Sequence, residues 1–301
     1  MNDVQERLAA GEVVILDGAM GTELQRRGVP MDDVAWDAAA LATHPDLVRE
    51  VHEDYIEAGA EVIITNTFAT ARHVLEPAGM AEQFRALNTR AVTLAKEARE
   101  EVAYGPVSIA GSISTMSAHA DNSYEPSEEE ARDNYREQAE VLAESGVDVI
   151  VLEMMRDLEH TSYAMEAAVA TGLPVWVGFS CRITDEGTLV LQDGNHTLAE
   201  ALEQIPPLGA SLVSIMHTLA EDTPAALREV TSRWQGPVGA YPHSGEFIMP
   251  NWQFINTISP EDFTKQAQGW TGMGVQLVGG CCGIGPEHIR LLGERLPMRP
   301  S

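Results

Sequence analysis

Cys281 and Cys282 stand side by side in Gly279-Gly280-Cys281-Cys282-Gly283, and neighbouring thiols can share one soft metal ion. Successive side chains of a regular strand point to opposite faces, so convergence of both sulfurs on one Zn²⁺ calls for the backbone freedom of glycine. Free cysteines also fill space in cores, but the glycine frame favours a metal. A zinc site that activates a substrate needs further protein ligation and an open position. His217, in Met216-His217, is the first candidate for the third ligand, and Cys181, in Ser180-Cys181, is the second. Water in the open position would make a hydrolase; a substrate thiol there would lose its proton and become a nucleophile near neutral pH. Thiolate ligands weaken zinc as an acid toward carbonyls, which favours thiol alkylation.

Two acids accompany these ligands. Asp17 and Glu153 each follow an apolar run, where desolvation is costly unless a cation or hydrogen-bond donor meets the carboxylate. An α-ammonium group is a suitable partner. Asp17 beside Gly18 also suits an ordinary turn. Gly18 and Gly21 leave loop amides able to approach a carboxylate, without the spacing of a dinucleotide fingerprint. Thr65, Asn66 and Thr67 add polar groups after another apolar run. Tyr241, Phe247 and Trp252 are aromatic residues that either face a cationic methyl group or pack the core.

The elements that must position these residues alternate in type. Continuous apolar runs occur at 13–16, 61–65, 107–110, 147–152, 175–179, 211–215, 237–241 and 275–278, and such runs suit strands buried on both faces. Helix signals fall between them. Pro45 opens a segment in which Leu47, Val48, Val51 and Tyr55 share a stripe and Gly59 follows; Ser127 with Glu130 makes a capping box; Thr223-Pro224 and Ser259-Pro260 place a cap before proline. Strand then helix, repeated eight times, closes most simply as a parallel (β/α)₈ (TIM) barrel occupying residues 1–301 as one domain, with a doubly wound open sheet as the alternative. In a barrel the cysteines, His217, the two acids and the Thr65-Asn66-Thr67 segment fall at the carboxyl ends of the strands, where chemistry gathers.

Composition narrows the class further. The 301 residues carry 46 acidic and 19 basic side chains, a formal net charge of −27, which argues against nucleic acid or an anionic membrane as partner. The N-terminal segment lacks a secretory pattern and no apolar run approaches about 20 residues. Three cysteines do not make a disulfide framework. A cytoplasmic enzyme acting on small molecules is the expectation.

Asp17-Gly18-Ala19-Met20-Gly21-Thr22, Thr65-Asn66-Thr67-Phe68, Tyr241-Pro242-His243-Ser244-Gly245-Glu246 and the cysteine-pair segment together resemble the signature segments of the homocysteine S-methyltransferase family, in order from first strand to last. The resemblance implies a zinc enzyme on a (β/α)₈ barrel that methylates the sulfur of homocysteine. It implies Cys281 and Cys282 as zinc ligands, Asp17 and Glu153 as holders of the amino-acid end, and Thr65 and Asn66, with Gly18, as lining of that pocket. The donor stays open among S-methylmethionine, S-adenosylmethionine, a betaine, another sulfonium compound or a corrinoid protein, as do a different thiol acceptor and a binding protein without transferase activity. Two positions depart from the family pattern. Met216-His217 stands where the family has asparagine and cysteine, so His217 is expected to ligate in place of a thiolate, and His243 stands where asparagine is usual. A neutral imidazole for a thiolate makes the centre neutral rather than singly negative, which acidifies an incoming thiol more and leaves its sulfur less nucleophilic.

Overall fold

The computed structural model describes residues 4–116, 126–248 and 253–296, with the side chains of 246, 247, 253 and 254 outside that description. Eight parallel strands form the barrel: β1 Val14–Ile15, β2 Val62–Ile64, β3 Ser108–Ser114, β4 Val149–Met155, β5 Val175–Phe179, β6 Leu212–Leu219, β7 Val238–His243 and β8 Leu277–Val278. Each pairs with its sequence neighbours, β1 pairs with β8, and a parallel bridge between Leu16 and Val62 closes the ring. The expected barrel is therefore the observed one. Two antiparallel hairpins, Cys181–Ile183 with Leu189–Leu191 and Glu246–Ile248 with Gln253–Ile255, extend the loops after β5 and β7.

Alternation along the strands divides the apolar residues into two cores. Val14, Leu16, Val62, Ala110, Val149, Val151, Trp176, Leu212, Met216, Tyr241 and Leu277 fill the barrel interior, while Ile15, Ile63, Ile109, Ile150, Val177, Val213 and Ala240 face the surrounding helices. The barrel is thus a packed column with a polar top. The inward register of β3 and β4 continues upward to Ser112, Ser114 and Glu153.

The helix signals are met with one correction. Helix Pro45–Glu57 buries Val48, Val51 and Tyr55, with Gly59 just beyond it at φ +103°. Ser127 and Glu130 form the capping box of helix Glu128–Ser145, and Ser259 caps helix Pro260–Thr271. Thr223 is not a cap: it is the first residue of helix Thr223–Arg233, Asp222 takes the N-cap position, and the Thr223 hydroxyl donates back to the Leu219 carbonyl at 3.0 Å. Among the described residues no helix is long and apolar enough to cross a membrane.

His52 lies on helix Pro45–Glu57, fully buried, and neither ring nitrogen has a partner. Burial lowers its pKa to about 4. Between that value and the unfolded value of about 6.5 the unfolded chain binds the extra proton, so stability from this group is complete above pH ~6.5 and lost as pH falls toward 4. Thermal melts of wild type and His52→Leu across this range should run parallel if the volume change is the whole effect. The expectation is the opposite: the wild type loses melting temperature relative to the variant on acidification, and parallel curves would contradict it.

Candidate functional site

The cysteine loop is fixed by backbone bonds to two other strand ends. The Gly279 amide donates to the Ala240 carbonyl at 3.1 Å, Gly280 to Asp17 at 3.0 Å and Cys281 to Pro242 at 2.9 Å, while the Ser244 amide donates to the Cys282 carbonyl at 3.0 Å. Glycine here serves close approach as well as freedom. A Cβ on Gly280 would lie 2.2 Å from the Ile284 side chain, and Gly283 sits at φ +81° with the Ser244 carbonyl 2.4 Å from where its Cβ would be. Gly18 is packed against the same loop, beneath Tyr55, whose hydroxyl donates to the carbonyls of Ala19 at 2.9 Å and Ile284 at 3.1 Å.

β4 and β6 deliver their side chains through bulges. Leu152 pairs with Val177 and Met155 with Phe179, and Met216 pairs with Tyr241 and Leu219 with His243; in each case the longer strand carries one extra residue. The bulges hold Met154 at φ +52° and His217 at φ +43°. Left-handed backbone in a residue with a Cβ costs about 1–2 kcal/mol, and a bulge re-aims the side chains around it. The Met154 amide, released from the ladder, faces the Met216 Sδ at 2.9 Å, and the Ser180 hydroxyl donates to the His217 carbonyl at 2.9 Å.

These constraints bring His217, Cys281 and Cys282 together. Their ligand atoms all lie within 4.8 Å of one another: Cys281 Sγ is 3.9 Å from His217 Nδ1 and 3.9 Å from Cys282 Sγ. Zinc–ligand bonds of about 2.3 Å to sulfur and 2.0–2.1 Å to nitrogen place tetrahedral neighbours about 3.5–3.8 Å apart, so the donor set fits such an ion with small rotamer adjustment. The two thiols are in contact. The hydrogen bond with Cys282, aided by His217 and His243 against the effect of burial, holds Cys281 well below the usual thiol range, and the same bond together with burial pushes Cys282 well above it. His243 lies beside His217, the ring centroids 5.1 Å apart and the planes tilted by 48°, its own pKa lowered by burial and by His217. Cys181 stands apart, in the hairpin beside β5, and burial alone raises its thiol; it is not part of the cluster.

Next to the sulfurs lies a group of buried acids. Glu153, 7% exposed, accepts from the Ser112 hydroxyl at 2.5 Å, and its pKa is raised to about 8, chiefly by burial. Asp17, 2% exposed, accepts the Ile64 amide at 2.8 Å through Oδ2, while Oδ1 has no partner; burial and then Glu153 raise its pKa well above the ordinary range. Thr65 spends its hydroxyl inside the barrel wall, 2.8 Å from Thr67 Oγ1 and accepting from the Ser112 amide at 3.3 Å. Asn66 donates to the Asp37 carbonyl at 3.3 Å and leaves a buried Oδ1 without a partner. Tyr241 is buried in the barrel interior below these groups, feeling the charges of Glu153, Cys281 and Asp17, so it is floor and not wall. The Phe247 side chain and Trp252 lie outside the described residues.

Sequence reasoning passed over Asp37 and, placing Ser112 at the end of the third strand, gave it no role. Ser112 is announced only by the inward register of β3. Asp37 follows the short stretch 32–36, which has no periodicity and ends on Trp36 at φ +45°.

A parallel barrel whose carboxyl-end rim gathers paired thiols, an imidazole and unpaired buried acids defines a barrel enzyme of thiol chemistry. Residues 14–296 match the family model described as homocysteine S-methyltransferase, and the chain belongs to that family. It is 30% identical to a selenocysteine methyltransferase of Astragalus bisulcatus, over 93% of this chain and 91% of that protein. It is 30% identical to homocysteine S-methyltransferase YbgG of Bacillus subtilis, with 96% of each chain covered. Among solved structures it resembles the metallated form of the Escherichia coli homocysteine methyltransferase MmuM, with a TM-score of 0.80, 28% identity and coverage of 95% and 96%.

The Ser112 hydroxyl favours the charged form of Glu153. Ser112→Ala should therefore raise the Glu153 pKa beyond its value of about 8, seen in a ¹³C NMR titration of glutamate-labelled protein; an unchanged or lowered value would contradict the described bond.

Proposed function

We propose that this chain is a zinc-dependent methyltransferase that moves a methyl group from a small onium donor to the thiol of homocysteine, giving methionine. The observation that carries the reading is the convergence of His217, Cys281 and Cys282 on the rim that also carries the buried carboxyls of Asp17 and Glu153, which form no ion pair among the described residues. His217 and the two cysteines would hold the ion; bound there, Zn²⁺ supplies the Lewis acidity that lets an acceptor thiol ionise near neutral pH.

The protein's own groups account for binding and alignment. Asp17 and Glu153 would receive the acceptor's ammonium, whose charge and N–H donors meet the unpartnered Asp17 Oδ1 and the Glu153 carboxyl. Loop amides around Gly18 and Gly21 would face its carboxylate. With the amino-acid end anchored, the sulfur is held at the cysteine loop, and the donor enters from the open top of the barrel. The thiol proton goes to solvent. A sulfur lone pair then forms the new S–C bond as the bond from methyl carbon to onium atom breaks, its electrons returning to that atom as a neutral leaving group. Holding the two reactants in line is the main contribution of the barrel mouth. The name of the Astragalus relative makes selenocysteine a second acceptor to test.

Metal content and methyl transfer measured on one preparation test this reading. With S-methylmethionine, S-adenosylmethionine and betaine offered against homocysteine and selenocysteine, mass spectrometry should find methionine with at least one onium donor and about one zinc per chain by metal analysis, as expected for a single set of three protein ligands. Cys282→Ala should lose both. Full transfer by metal-free Cys282→Ala protein would exclude the proposal.

A further inference from the structure

A regular strand would aim residue 217 the wrong way. Met216 fills the barrel interior, and successive side chains of a strand point to opposite faces, so an unbroken β6 would turn His217 outward, toward the helices. The extra residue between the pairs Met216–Tyr241 and Leu219–His243 breaks that alternation. His217 takes φ +43°, and its Nδ1 comes to 3.9 Å from Cys281 Sγ. Left-handed backbone in a residue with a Cβ is costly and persists only where the surroundings over-determine it.

The peptide that follows β5 provides that grip. Ser180 and Thr218 are both fully buried. The Ser180 hydroxyl donates to the His217 carbonyl at 2.9 Å. The Cys181 amide donates to Thr218 Oγ1 at 2.9 Å, and that hydroxyl in turn donates to the Met216 carbonyl at 2.9 Å. Residues 216, 217 and 218 are thus each engaged by a side-chain hydroxyl bond that lies outside the strand ladder. Ser180 is itself fixed, its amide donating to the Met155 carbonyl at 3.1 Å and its carbonyl accepting the Gln192 amide at 2.9 Å. The Gln192 side-chain amide lies 2.8 Å from the same hydroxyl and can present its NH₂ there, so one hydroxyl proton suffices for both contacts.

Resting on the zinc reading of the site, we propose that the hydroxyls of Thr218 and Ser180 are positioning groups: they hold the left-handed turn at residue 217 and so keep its imidazole facing the two thiols before any ion is bound. Both act through His217, since their bonds are spent on backbone. Without the clamp, β6 relaxes toward a regular strand in which residue 217 faces outward, and the site keeps two ligands. Apparent metal affinity then falls in proportion to the fraction of molecules that still hold the bulge.

Three variants of the full-length chain test the proposal. Thr218→Val keeps the branched shape and removes the hydroxyl, Thr218→Ser keeps the hydroxyl, and Ser180→Ala removes the second bond by itself. Zinc affinity of metal-stripped protein is read by competition with a chromogenic chelator, the Co²⁺-loaded forms by visible absorption, and the fold by near-ultraviolet circular dichroism. Thr218→Val and Ser180→Ala should each bind zinc about tenfold or more weakly, the range for groups that orient metal ligands, with Thr218→Ser close to wild type. The Co²⁺ spectrum of Thr218→Val should move toward that of His217→Ala while keeping its thiolate-to-metal bands. A double-mutant cycle separates positioning from general weakening: in a His217→Ala background, Thr218→Val should leave zinc affinity within about twofold. An equal loss in that background would overturn the proposal, as would zinc affinity unchanged in both Thr218→Val and Ser180→Ala, or Thr218→Ser as weak as Thr218→Val. The two readings can fail separately. A wild type that binds zinc through His217 but methylates no thiol would end the methyltransferase reading and leave the clamp standing, whereas an active zinc enzyme indifferent to both hydroxyls would end the clamp alone.

Discussion

The site depends on a short peptide being tied at both edges. β8 ends at Val278, and from there the amides of Gly279, Gly280 and Cys281 reach the carbonyls of Ala240, Asp17 and Pro242 while the Cys282 carbonyl receives Ser244. These bonds draw β1, β7 and β8 together at the rim and leave the two sulfurs little choice of direction. Side chains at 280 and 283 would break that closure, by overlap with Ile284 in one case and with the Ser244 carbonyl in the other. Everything chemical above the barrel follows from this closure, because His217 meets the sulfurs only where the loop holds them.

Electrostatics follows from the same closure. A column of apolar side chains fills the barrel below, so the polar groups at its top sit on a floor of low polarizability. Carboxyls there are pushed up, Glu153 to about 8 and Asp37 to about 7, while one thiol of the pair is drawn down by its neighbours. Such a pocket disfavours uncompensated negative charge and favours cations. The overall charge of −27 adds a long-range field of the same sign, which attracts cationic small molecules at low ionic strength.

Much of this was legible in the chain, and the reasons differ by residue. The eight strands declared themselves because parallel barrel strands are buried on both faces and read as continuous apolar runs. The rim residues were legible once the strands were, since each sits just past an apolar run. His217 could be placed beside the cysteines by strand order, but nothing in Met216-His217-Thr218 marks a left-handed residue, because the bulge arises from the pairing of β6 with β7 and not from local preference. Met154 escaped for the same reason. Thr65 was read as pocket lining, and its hydroxyl meets the Thr67 hydroxyl and the Ser112 amide. Asp37 had no signal at all: it is one more acid in an acidic chain, in a segment without period.

The central claim is that one imidazole and two thiolates hold an ion whose open position takes the acceptor's sulfur. Zinc K-edge X-ray absorption on the purified protein, with and without homocysteine, addresses it directly. The account expects two sulfur neighbours and one imidazole nitrogen at first, at about 2.3 and 2.0–2.1 Å, with a third sulfur joining on addition of homocysteine. A first shell without paired sulfurs, or one indifferent to homocysteine, would contradict it.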